Sequence, residues 1–168
     1  MMSKVRVSAA GVALLAVIVA GSTLAVASTF LKVDMPTLRG MSEAVVQARV
    51  VDVQSAWNDE GSMIFTHVTL EVTGRLHGKA ANQLVVRVPG GTVGNFTSSM
   101  EGAPQFEVGQ EVVAFIARWD DGVPMIAGYA EGVSTVRRDA VGNMILNGGL
   151  ANGMPISELA KQLGRSGR

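Results

Sequence analysis

The sequence predicts a mostly β domain, a small antiparallel sheet curled toward a barrel, with short helices at its ends and a signal segment before it. Three observations predict it. From Ser62 to Leu76, Ile64, Thr66, Val68, Leu70, Val72 and Leu76 alternate with Met63, Phe65, His67, Thr69, Glu71, Thr73 and Arg75, the period-two pattern of a long strand with one buried face. The preceding run, Val45 to Trp57, is also strand-like, but Val46, Ala48 and Val50 have one parity and Val51 and Val53 the other. One extra residue near Val50 would bring both sets to the core side, as a β-bulge does. Glu111 to Trp119 is apolar on both parities, the mark of a strand covered on both faces. Long strands interrupted by a bulge and by Gly74 are the means by which a small sheet curls.

Residues 1–27 read as a signal peptide. Lys4 and Arg6 form a basic start, Val7 to Val26 is apolar, and Ala25-Val26-Ala27 is a small-x-small cleavage site before Ser28. The apolar run approaches spanning length, so an uncleaved anchor helix is the alternative. Either way the protein is expected outside the cytoplasm, periplasmic or extracellular, and it meets the membrane only if residues 1–27 stay attached. Residues 28–43 read as a linker and a short helix. Pro36 suits a first turn, Asp34 or Met35 the cap, and Leu38 and Met41 the buried side through Glu43.

Residues 44–147 form the β domain. Asn58-Asp59-Glu60-Gly61 joins the two long strands by turn composition. Leu84 to Val88 is a third strand with Leu84, Val86 and Val88 inward and Val85 and Arg87 outward. Residues 89–109 are rich in Gly, Ser and Pro and show no long strand or helix, an unusual loop for a compact domain. After Glu111–Trp119, Asp120-Asp121-Gly122 turns the chain, Pro124 to Ala130 returns it, and short strands follow at Gly132–Val136 and Met144–Leu146. Residues 148–168 carry a helix over Ile156–Leu163, with Ser157 near its start and Gly164 just after its end, and a tail.

Composition excludes several functions. The chain has no Cys, so disulfides, zinc–thiolate sites, thiol catalysis and a lipoprotein anchor are out. The 168 residues hold 14 Lys and Arg against 14 Asp and Glu; losing Lys4 and Arg6 leaves 12 against 14, a net charge of −2. That balance lacks the basic excess nucleic acid requires. His67 and His77, ten residues apart, have no ligand spacing, and no carboxylates near in sequence complete a metal set. Ser98 or Ser99 with His67 and Asp52 or Asp59 makes a nucleophilic set only on paper, because no Gly-x-Ser-x-Gly elbow exposes the serine. The acid pairs Asp59-Glu60 and Asp120-Asp121 sit at Gly turns and read as turn-forming surface residues. Gly90-Gly91-Thr92-Val93-Gly94 lacks the Lys and Ser/Thr ending of a phosphate loop. No cofactor is expected.

Ala44 to Val50, Phe65 to Val72, Leu76-His77-Gly78, Leu84 to Gly91 and Phe106 to Phe115 together carry a family resemblance. The pattern resembles exported bacterial proteins of unknown function and, more distantly, the netrin-like and metalloproteinase-inhibitor OB-fold domains. The resemblance covers about residues 44–116 and implies an OB-like Greek-key barrel. The inhibitors act through an N-terminal cysteine, which this chain lacks, so their mechanism is not implied.

The resulting expectation is a non-enzymatic exported binding or interaction module for a protein, peptide or glycan. A hydrolase-type enzyme of unrecognised class and a structural envelope component are the alternatives. Loops on rigid β scaffolds commonly carry function, and the 89–109 loop holds apolar residues that a spacer would not need. Phe96 and Met100, with Gly90, Gly91 and Asn95, are therefore the candidate partner-binding residues, while Phe106 anchors the loop. The leader reading has a direct check: the intact mass of the exported protein should correspond to a chain starting at Ser28, and a mass retaining residues 1–27 would make the segment an anchor.

Overall fold

The computed structural model describes residues 33–165; residues 1–27, expected to be a signal segment, lie outside them. The elements run α1 (Met35–Gly40), β1 (Ala44–Trp57), β2 (Ile64–Gly78), β3 (Gln83–Pro89), β4 (Gly91–Val93), β5 (Phe96–Ser98), β6 (Glu111–Arg118), β7 (Pro124–Ile126), a 3₁₀ turn (Tyr129–Gly132), β8 (Val133–Arg138), β9 (Met144–Asn147) and α2 (Ile156–Arg165). The protein is mostly β with few helices. Seven strands make one antiparallel sheet in the order β3-β2-β1-β6-β8-β9, with β7 paired to the far end of β6, and β4 and β5 make a separate small hairpin.

The β1–β2 hairpin is its backbone. Strands of 14 and 15 residues accumulate too much right-handed twist to keep one face on one core. Their register slips three times. Val50 pairs with Leu70 and Asp52 with Thr69, so Val51 is the extra residue on β1, where the parity slip predicts it. Val53 then packs against the core, whereas Val51 is exposed, contrary to the expectation that the bulge would turn both inward. The bulged residue itself has no opposite partner to hold it in. On β2, Thr73 and Leu76 are the extra residues. Leu76 consequently leaves the face it is expected to share with Leu70 and joins a second cluster on the other side of the sheet.

Two cores result. The first takes Val46, Ala48, Val50, Val68, Leu70 and Val86 with Val112, Ala114 and Ile116 of β6. The second takes Val45, Val113 and Phe115 with Leu38 of α1, Leu146 of β9 and Ile156, Leu159 and Leu163 of α2. β6 is thus covered on both faces, as its double apolar parity requires. Val113 and Phe115 therefore do not share a core with Leu70 and Val68: they sit on the opposite face. Val72 is only half-buried beside the first core.

The helices follow their caps. Asp34 Oδ1 accepts from the Thr37 amide at 2.9 Å and Pro36 occupies the first turn. α1 stops at Gly40 instead of reaching Glu43, and Met41 is exposed, leaving Leu38 as the buried anchor. α2 buries Ile156, Leu159 and Leu163 at i, i+3, i+7 and runs through Gly164 to Arg165, since packing of one face outweighs the weak helix propensity of that glycine. The region 89–109 is also more ordered than its composition predicts: it contains the β4–β5 hairpin, turned by Gly94-Asn95 with Gly94 at φ 60°.

Leu70 is fully buried and His67 is on the opposite, outward face of the same strand. Leu70→Ala should lower stability by about 2–5 kcal/mol, and His67→Ala should leave it nearly unchanged, in chemical denaturation followed by circular dichroism. Equal shifts of the two midpoints would mean that the facing of β2 is wrong.

Candidate functional site

The inward face of the hairpin changes chemistry along its length. From Val68 and Val50 toward the turn, the inward residues become Val53, Ser55 and Thr66. Ser55 and Thr66 are cross-strand partners, and their hydroxyls meet at 2.9 Å. Thr66 Oγ1 donates to the Gly90 carbonyl at 2.7 Å. A hydroxyl has one proton, so Ser55 is the donor to Thr66 and is left with acceptor capacity alone. Gly91 lies directly on this pair: a Cβ there would collide with both hydroxyl oxygens, and φ is 135°. Gly90, at φ 94°, would meet the Ser98 carbonyl at 2.8 Å. The two glycines let β4 and β5 fold back across the end of the first core.

Above that floor lies a cleft of about 310 Å³. Val53, Val88 and Phe106 make its apolar base, the β4–β5 hairpin one wall, and Ser98 through Phe106 the other. Thr92 and Thr97 project hydroxyls 3.0 Å apart from the hairpin. Among the described residues, no Asp, Glu, His, Lys or Arg lines the cleft. Phe96 is 65 % exposed and meets Trp57, 40 % exposed, edge-on at 5.7 Å and 69°. Neither ring is among the residues lining the cleft: Trp57 lines a second depression with Asp59, Glu60, Phe65, His67, Arg87 and Asp121.

A second feature joins β3 to the β6–β7 turn. The Arg87 guanidinium lies 5.1 Å from the Phe65 ring centre and 5.4 Å from that of Trp119. Its Nη2 donates to Asp121 at 2.6 Å, and the Trp119 indole donates to the Arg87 carbonyl at 3.4 Å. These contacts bring β3 against the β6–β7 hairpin without a hydrogen-bonded ladder between β3 and β7 among the described residues. The Asp121 carboxyl is held below the usual carboxylate range, first by the Val123 amide and then by Arg87. Asp139 is lowered likewise by Asn143 and the turn amides that follow it, and Asp34 by Thr37.

The structure separates the residues of the paper triad. Ser98 and Ser99 line the cleft, while His67 lines another depression with Asp59, Phe65 and Arg87. Among the described residues, no group of three or more His, Asp or Glu gathers in a way that could hold a metal ion, and no helix is long and apolar enough to cross a membrane. Of the candidate binding residues, Gly90, Gly91 and Met100 line the cleft. Asn95 is exposed in the hairpin turn, and Phe96 packs on Trp57 outside the cleft lining. Ser55, Thr66, Thr92 and Thr97 are missed by sequence reasoning; the signal available was the change from Val to Ser and Thr on an otherwise aliphatic inward face. No protein-family profile, curated protein or solved structure matches the chain.

The acidic turns set a pH dependence. Carboxyls whose folded pKa is depressed add stability that is complete above their ordinary value, near 3.9, and is lost as pH falls through the folded values. The melting temperature should therefore fall on acidification below about pH 4. Asp121→Asn and Asp139→Asn together should flatten that decline; an unchanged slope would show that these carboxylates do not govern it.

Proposed function

We propose that the protein is a non-enzymatic binding module acting outside the cytoplasm, built on an OB-like barrel, and that it takes its ligand in the cleft between the β4–β5 hairpin and residues 98–106. The observation that carries this reading is the cleft lining: an apolar base and a hydroxyl-rich wall with no ionisable side chain. Such a lining supports holding a ligand and offers no group to transform it. The barrel reading is supported by the three register slips of the long hairpin, of the kind that bend a sheet, and by the Arg87–Asp121 and Trp119–Arg87 contacts, which draw β3 to the β6–β7 turn. Export rests on the sequence of residues 1–27. Met100, which lines the cleft, and Phe96, exposed on the hairpin, are the proposed contact residues, with Gly90 and Gly91 shaping the floor and Asn95 at the hairpin tip.

The test is capture by the immobilised protein from an exported fraction, compared with Phe96→Ser, Met100→Ser. Retention of a component that the double variant no longer holds, at unchanged melting temperature, supports the cleft as the site. Equal retention by both proteins would remove that support, and a large fall in melting temperature would assign the pair to packing.

A further inference from the structure

We propose that the depression lined by Trp57, Phe65, Asp59, Glu60, Arg87 and Asp121 is a binding site in its own right, separate from the cleft. Its ligand is an organic cation, an ammonium or guanidinium group carried on an apolar stem.

The depression encloses about 330 Å³, at the lower end of small-molecule sites. Three carboxylates, Asp59, Glu60 and Asp121, line it against one guanidinium, so its net charge is −2 with His67 neutral. The positive charge is already engaged. Arg87 Nη2 donates to Asp121, and the guanidinium lies over the Phe65 and Trp119 rings. Among the described residues, the ion pairs are Arg87–Asp121 and Arg118–Glu43, so neither Asp59 nor Glu60 has a cationic partner. An anion would meet that negative excess and compete with Asp121 for Arg87. A cation meets the same excess as attraction.

The turn holds this charge in place. Asn58 Oδ1 accepts from the Ser62 and Met63 amides at 2.8 and 3.0 Å, and its Nδ2 donates to Glu60 Oε2 at 2.7 Å. That bond anchors the Glu60 carboxylate and leaves its charge uncancelled. The turn is therefore ordered before a ligand arrives, which lowers the cost of binding.

Geometry selects the kind of cation. A metal ion needs several oxygens converging on one point, and among the described residues no three His, Asp or Glu gather that way. Carboxylates spread around a cavity suit a larger body that carries or delocalises the charge. Trp57, 40 % exposed, adds an indole, the ring that attracts cations most strongly, and apolar surface along which a long stem can lie. The chain already uses this chemistry once, with the Arg87 guanidinium over Phe65 and a carboxylate at its end. A ligand cation between Trp57 and Asp59 repeats it.

The group can come as a lysine or arginine side chain of a peptide or as a free amine. The experiment is ¹H–¹⁵N shift mapping of the purified protein with short Gly/Ser peptides carrying Arg or Lys, matching peptides carrying Glu or Gln, and free spermidine and agmatine. At low salt the cations should move the Trp57 indole and the amides from Asn58 to Met63, and leave those of Thr92, Thr97 and Ser98 in place. Binding should weaken as salt is raised. Asp59→Asn with Glu60→Gln keeps the acceptor for Asn58 and should weaken binding about tenfold at an unchanged melting temperature. Should that variant melt lower, the salt titration of the unaltered protein still decides. Binding of the free amines would assign them as the source, and binding of the peptides alone would assign a side chain. No shift with any cation, equal shifts with the Glu or Gln peptides, or binding that survives high salt or the folded double variant overturns the proposal. Shifts confined to Thr92, Thr97 and Ser98 overturn it as well, while supporting the cleft.

Discussion

The fold depends on a face switch within a single hairpin. β1 and β2 are too long to serve one core, so the three register slips let the same pair of strands feed two. Ala44, Val46, Ala48 and Val50 turn one way, and Val45 turns the other to meet Phe115, Leu38 and α2. β6 completes the arrangement by giving alternate residues to each side. Every later element takes its place from this split. β3 extends the first core; α1, β9 and α2 exist to cover the second. Each fully buried Val or Leu is worth roughly 1.5–3 kcal/mol, so a slip that redirects even one such residue is decided by packing and not by local propensity.

The cleft is a by-product of the same geometry. Aliphatic burial can continue along the inward face only while another layer covers it. Toward the turn of β1 and β2 no such layer exists, and the inward residues become Ser55 and Thr66. The chain after β3 then returns over them as a glycine-hinged hairpin, which shields the hydroxyls without filling the space above. A polar floor at the end of an apolar core is what the sheet leaves behind.

Legibility followed periodicity. The four long strands are readable because their alternation is strong, and the bulge beside Val50 is readable because a parity slip has one simple structural cause. Gly74 marks the slip at Thr73, but the one at Leu76 is not readable: Leu76 keeps the parity of Leu70, and only the opposing strand reveals that residues have been skipped. The second core is hidden for the same reason, since its parts come from Leu38 near one end and Leu163 near the other. The β4–β5 hairpin escapes notice because three-residue strands carry no period. At the site, Phe96, Met100 and the glycines stand out by composition, whereas Ser55 and Thr66 acquire meaning only when the hairpin pairs them.

The Arg87 clasp bears on how this chain avoids its own kind. A sheet ending in unpaired strands is a template on which another sheet can grow. At one end of this sheet, the Trp119 indole and Asp121 occupy β3's carbonyl and guanidinium groups, and Pro89 closes the strand without an amide. At the other end, Leu146 exchanges hydrogen bonds with Gly153 and Met154, and Pro155 bridges Ile145. One backbone group of each outermost strand is thus engaged by a side chain or by the chain's own return, which shortens the run of ladder that another strand could add to.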